Sequence, residues 1–367
     1  MSDFSVEPND LDSYARLLGR SVDDIDAALE YIEKQCSIST MDQGPLSTLA
    51  SIAFSGHESI ISGVKTSLKS LRTHLKSSKS EVALSATYYR ETEFDEAKRM
   101  DATYSAPRVH HRTGGGSRGF ADKVEPTKRL QTPKIDGDKD EPDGGLFKKA
   151  LETGNVLSPS WVISKGLELA FDFNPVDEAK KLLAGDWEAF AACAKAWSYL
   201  GEFCDDVSTN ILAGNIELDS TWNGNGGDSA YKYFSDLARD VAKFKDSFES
   251  LKSIYEDLYK AVYQTAEACG DLLSGILDLA AVVGMTAAAG AATSFTLFGP
   301  MIAAGAVATE ITVMINKWTQ LTTVIAGCQT TASGLLGVTG LYDFWEAKQV
   351  SFPKVENSYN HPAVPNK

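Results

Sequence analysis

Histidine is scarce in this sequence, and the five residues it has, His57, His74, His110, His111 and His361, are scattered. No Ser-His-Asp set, HExxH, P-loop or Rossmann fingerprint accompanies them. The Gly-rich runs GNGG and GGGSRG lack the flanking strand and lysine that a phosphate cradle needs. Acidic pairs such as Asp23-Asp24 and Asp205-Asp206 fall on the polar faces of helical patterns, where solvation is their ordinary role. These absences lead to the expectation of a non-enzymatic chain without a cofactor or metal.

Cysteine is equally unhelpful to chemistry: Cys36, Cys193, Cys204, Cys269 and Cys328 show no CxxC spacing, so neither a zinc knuckle nor a redox motif is written. An odd number leaves one thiol over in any disulfide scheme. Basic residues are outnumbered 35 to 50 by acidic ones, for a formal charge of -15, which excludes nucleic acid as a partner because phosphate binding needs clustered Lys and Arg. The first residues, MSDFSVEPNDLDSYARLLG, carry neither the basic start nor the apolar core of a secretory signal. The expectation is a chain that stays in the cytoplasm or leaves by a route reading another signal.

What the sequence has in quantity is helix. Leu11, Tyr14, Leu18, Val22, Ile25, Leu29, Ile32 and Cys36 alternate steps of three and four, a coiled-coil-like seam. After STMDQGP a second seam runs through Ile61, Val64, Leu68, Leu71 and Leu75 and fades in a Ser/Lys-rich stretch toward Tyr88 and Tyr89. Residues 9 to 37 and 56 to 98 are read as a first antiparallel hairpin. A short helix is expected over residues 160 to 171. A long one is expected from Asn174-Pro175 through Trp187, Trp197 and Ile211, and another from Phe234 through Val262.

Between the two halves, residues 101 to 147 are rich in Gly, Pro and charge. Having little to bury, they are expected to form a disordered linker. His110-His111 is not expected to bind metal, and Asp136, Asp138 and Asp140 miss an EF-hand because its Gly and terminal Glu are absent. The Pro/Asn-rich end, residues 346 to 367, is expected to be flexible. The full division is therefore 1–100, a hairpin; 101–147, a linker; 148–345, a second helical domain; and 346–367, a tail.

No charge interrupts the sequence between Asp278 and Glu310. Its length would span a bilayer once, but Gly299-Pro300 divides it into two pieces. Two readings stay open: a buried tip of a soluble bundle, or a surface that contacts membrane in some state. Phe295, Leu297, Phe298 and Met301 are the candidate membrane or partner contacts.

The stretch LDSTWNGNGGDSAYKYF, residues 218 to 234, interrupts two helical patterns with Trp222 and a run of Asn and Gly. Residues that tolerate positive φ let the chain reverse there, with Asp228 expected to cap the following helix. Trp222-Asn223-Gly224 at a hairpin apex resembles the Trp-x-Gly turn of the WXG superfamily exported by type VII (ESX) secretion systems. Tyr89-Arg90-Glu91-Thr92-Glu93 resembles the Tyr-x-x-x-Asp/Glu export motif that follows the second helix of such hairpins, with Glu in place of the commoner Asp. In that family the tyrosine motif of one partner lies beside the tryptophan turn of the other. One chain carrying both halves resembles the EspB type of substrate, in which PE-like and PPE-like hairpins are fused. The first hairpin also resembles small EspC-like targets, with Phe54-Ser55-Gly56 where a tryptophan turn could be.

The resemblance implies an all-α, elongated bundle of two hairpins, exported folded through Tyr89, Glu93, Trp222 and Gly224, and secreted without a cleavable signal. Tyr89 would present its ring and hydroxyl to the export machinery, and Trp222 an adjacent apolar surface. The candidate partners are the type VII machinery, a secretion chaperone, further copies of the chain and a membrane. A membrane-active or toxin-delivering module and an intracellular helical scaffold are the alternatives.

Overall fold

The computed structural model describes residues 4–38, 48–110, 119–134, 160–183, 187–292, 299–336, 350, 352–355 and 357–364. The fold is an all-α bundle. In chain order the helices are α1 (Pro8–Gln35), α2 (Thr48–Glu91), α3 (Phe94–Asp101), α4 (Ser160–Ala170), α5 (Pro175–Leu183), α6 (Trp187–Asp219), α7 (Asn225–Ala242), α8 (Phe244–Ala292) and α9 (Gly299–Leu336). Two short strands, β1 (Ser5–Val6) and β2 (Trp222–Asn223), pair antiparallel with Val6 opposite Trp222.

The seams read from the sequence are the faces that pack. Leu11, Leu18, Ile25 and Ile32 of α1 are buried, as are Val64, Leu68, Leu71 and Leu75 of α2. Pro8 opens α1 without loss, because the first amides of a helix have no partner within it. α2 runs 44 residues without a break, which corrects the reading of Phe54-Ser55-Gly56 as a second turn. Gly56 has no positive φ and lies within the helix.

The two halves share one core. α1 packs on α6 and α2 on α9, and a continuous apolar cluster joins Tyr14 and Leu68 to Trp197, Phe234 and Tyr255. Near its centre the His57 ring bridges the halves: Tyr255 donates its hydroxyl to Nδ1 at 2.7 Å, and Nε2–H donates to the Cys36 carbonyl at 2.8 Å. The two modules therefore dock within one chain.

The described parts of the expected linker are packed. Phe120 is buried, and a 3-10 turn at Pro126–Arg129 lies on α6. Arg129 meets Asp206 at 2.7 Å, Asn210 holds the backbone at Lys123 and Val124, and Arg20 grips Asp122. A few ion pairs and one aromatic plug fix a segment whose composition alone offers little to bury. Residues 111–118 and 135–147 lie outside the described residues.

Beyond this shared core, α8 and α9 form a long hairpin with α4 packed antiparallel along α8, and Ile163, Ile276, Val283 and Met314 lie in its core. Val282, Met285, Val313 and Ile315 remain exposed there. Within Asn225–Ala289 one 18-residue window has mean hydropathy 1.8 and passes for a membrane span by length and composition, with 33% of it buried. Phe295, Leu297 and Phe298 lie outside the described residues, and of Met301 only its place in α9 is described.

Candidate functional site: the tyrosine–tryptophan junction

The site forms where α2 ends and the α6–α7 corner begins. α6 stops at Asp219, the chain crosses β2, and Gly224 at φ 122° turns it into α7. A side chain at that φ would be strained, and its Cβ would lie 2.6 Å from an Asp101 carboxylate oxygen. At Gly227 an added Cβ would come within 2.3 Å of the Trp222 carbonyl, so the tryptophan can fold back over α7 only if that position is bare.

The first module holds this corner from two sides. β1 pairs with β2, Glu7 N donates to Thr221 O at 3.1 Å, and Asn223 Nδ2 donates to Ser5 Oγ at 2.8 Å. Asp101, at the end of α3, then accepts from the amides of Asn225 and Gly226 at 2.7 and 2.8 Å. Asn225 Nδ2 returns bonds to the carbonyls of Asp101 and Tyr104, both at 3.0 Å. The α7 cap thus comes from another module, which corrects the expectation that Asp228 fills that role; Asp228 sits inside the first turn. A buried carboxylate on two helix-terminal amides combines charge-assisted bonding with the favourable end of the helix dipole.

Tyr89 and Trp222 meet edge to face, their centroids 6.0 Å apart. Both are buried, Tyr89 at 7% exposure and Trp222 at 1%. Phe4 flanks Tyr89 at 6.2 Å and Phe94 at 5.4 Å. Burial pushes the Tyr89 phenol well above its ordinary range, with the Trp222 indole opposing, so the hydroxyl stays neutral.

The fourth component comes from the end of the chain. His361 stacks on Trp222 at 5.8 Å and meets the rings of Tyr89, Tyr88 and Tyr104 at 5.4, 6.0 and 5.9 Å. Its Nδ1 accepts from the Ala363 amide at 3.1 Å, so the proton of the neutral ring resides on Nε2, which donates to Tyr89 Oη at 2.9 Å. Burial depresses its pKa to about 4, keeping the ring neutral at pH 7. Tyr359 packs beside Trp222 at 6.4 Å and Phe234 at 5.3 Å. The stretch expected to be flexible is therefore seated at Tyr359 and His361, both buried.

Of the sequence-derived site residues, Tyr89, Trp222 and Gly224 converge. Glu93 does not follow Tyr89 on one helical face: α2 ends at Glu91, and Glu93 is the extended, exposed N-cap of α3. Tyr89 does not present its ring and hydroxyl outward, because Phe4 and His361 cover it. The exposed elements of the junction are Glu93 and, at 55%, Phe94. Sequence reasoning missed Asp101, Phe94, Tyr359 and His361. One available clue was Ser78, a serine at a core position of the α2 seam, which receives the Tyr359 amide at 2.9 Å.

Among the described residues, no three His, Cys, Asp or Glu side chains converge as metal ligands would. Comparisons with protein-family models, curated proteins and solved structures found no match for this chain.

Proposed function

We propose that the chain is a non-enzymatic substrate of a type VII secretion system, exported folded and acting at or outside the cell envelope. The observation that carries this reading is the 6.0 Å contact between Tyr89 and Trp222, two residues from different hairpins that share one junction. The resemblance of their motifs to a two-part export signal is what gives that contact a function. Glu93 and Phe94 supply the accessible acidic and apolar groups for a receptor, and the buried rings fix where those groups stand.

The test is secretion in the native host, measured in culture filtrate and lysate with a cytosolic protein as lysis control. Glu93→Ala is the key variant, because an exposed side chain can be removed without opening the core. Loss of export by folded Glu93→Ala protein supports the signal. A wild-type protein that never reaches the filtrate eliminates the reading.

A second reading, membrane contact through the α8–α9 tip, is favoured by the exposed Val282 and Met285, one helical turn apart on α8. It is compatible with export, since a protein acting outside the cell meets membranes after leaving.

A further inference from the structure

The junction contains a groove for an extended peptide, and its occupant is part of the chain. Residues 357–364 have no helix or strand, yet Asn357 to His361 lie along α2 through a set of bonds, and the turn at 362–364 folds back on His361. Tyr359 N donates to Ser78 Oγ at 2.9 Å, and His361 N donates to Glu81 Oε1 at 2.9 Å. His74 Nδ1 lies 3.0 Å from Ser358 Oγ, and Tyr233 Oη donates to Asn357 O at 2.9 Å. Alternate residues therefore meet α2 through their backbone amides. Tyr359 and His361 point inward, as in an extended strand whose side chains alternate. Asn360, between them, is exposed.

The α2 seam is adapted to this occupant. Its apolar positions run Val64, Leu68, Leu71 and Leu75, and where the next apolar residue would fall stands Ser78, fully buried. A leucine there would pack but could not accept an amide proton. Ser78 Oγ also lies 3.1 Å from Tyr233 Oη, which ties the groove floor to α7.

We propose that this groove is a peptide-binding site filled in cis by residues 357–364, and that the segment is a displaceable cover over Tyr89 and Trp222. Any partner that reads those two rings must replace it with an extended segment of its own. That segment would place an aromatic residue two positions before a hydrogen-bond donor, as Tyr359 and His361 do. The cover can leave because its bonds end on side chains of α2 and α7, and among the described residues no backbone ladder holds it. Its opening costs these bonds and the burial of the Tyr359 and His361 rings, and leaves the helix-on-helix core in place. The gating role goes one step beyond the proposed function, in which Glu93 and Phe94 are the groups a receptor meets first and Tyr89 and Trp222 become readable only once the cover leaves; the groove itself does not depend on that reading.

The test uses the full chain and hydroxyl-radical footprinting with mass spectrometry. Wild type is compared with a Tyr359→Ala/His361→Ala variant. Labelling of Tyr89 and Trp222 is expected to rise about tenfold in the variant, as for a locally opened segment. Trp197, buried in the core away from the junction, reports the global fold and is expected to remain shielded. A synthetic peptide of residues 352–364 added in trans should restore protection, and the same peptide with both alanines should not. If Trp197 also becomes labelled, Ser78→Ala/Glu81→Ala replaces that variant, removing the footing while leaving the cover's own side chains intact. Equal shielding of Tyr89 and Trp222 in wild type and in a folded variant overturns the proposal, as does failure of the wild-type peptide to protect. Neither result touches the secretion test, and failure of Glu93→Ala to affect export leaves the groove standing.

Discussion

The Tyr89 hydroxyl accepts a 2.9 Å hydrogen bond from the His361 ring, so the end of α2 and the end of the described chain meet at one atom pair beside Trp222. Around that pair converge the N-terminal strand, the α3 carboxylate, the glycine corner and the C-terminal segment. Each contact can be removed singly, and each removal has a distinct expected outcome.

Replacing Asp101 by Asn keeps the shape of the α7 cap but removes its charge and one of its two amide acceptors. The expected loss is about 1–2 kcal/mol, the usual cost of a disrupted N-cap. It should read as a lower urea midpoint with an unchanged slope. An unchanged midpoint would mean that Asp101 does not hold α7.

The corner glycines should resist alanine for different reasons. Gly224→Ala places a side chain at φ 122°, a conformation costing about 1–3 kcal/mol for such a residue. Gly227→Ala drives a methyl group against the Trp222 carbonyl and should expose the tryptophan. Near-UV circular dichroism should separate them, with the larger aromatic change in Gly227→Ala. Wild-type stability in both variants would refute this account of the turn.

Acid should loosen the structure through its buried imidazoles. Burial lowers both His57 and His361 from an ordinary pKa of 6.5 to about 4, although for His57 the Cys36 carbonyl opposes the shift. Between those values the unfolded chain binds more protons than the folded one. Their stabilisation is thus complete above pH 6.5 and is lost as pH falls toward 4, by about 2 kcal/mol each at pH 5. Asp24, raised by burial to about 6, changes stability in the opposite direction. The useful quantity is therefore the difference between wild type and His361→Gln in urea melts at pH 7.5 and 5. The variant should lose less on acidification, and identical losses would show that His361 is not buried in its neutral form.

The tip is tested by vesicle flotation. If α8 and α9 contact membrane there, wild-type protein should float with phosphatidylcholine vesicles, and Met285→Glu should float less while keeping its melting temperature. A charge placed in hydrocarbon is costly, whereas at an exposed position of a soluble bundle it is tolerated. Equal flotation of the two proteins would remove the tip from the list of contact surfaces.

The helices and the corner were legible in the sequence because they obey local rules: alternating seams for α1, α2, α6 and α8, and a Trp followed by Asn and Gly for the turn. The coming together of Tyr89 and Trp222 was expected only through the family resemblance. What escaped was the work of single residues acting at long range. Asp101 looks like one more acid near a linker, and nothing nearby marks it as the cap of a helix that starts at Asn225. Tyr359 and His361 sit among Pro and Asn, where composition argues for solvent. Their burial depends on a groove built by other helices. Phe54-Ser55-Gly56 misled in the opposite sense: a motif-like triplet was carried through by the helix on either side.

The arrangement of β1 against β2 has a consequence for the timing of assembly. Residues near position 5 must wait for position 222 before they can pair, and the junction is not closed until position 361 has been made. Contacts this distant in sequence form late. A chain still being synthesised can build α1 and α2 as a hairpin, yet it cannot display a finished junction. If a receptor reads that junction, the same geometry acts as a proofreading step, in which a truncated or half-folded chain carries the letters of the motif without the surface.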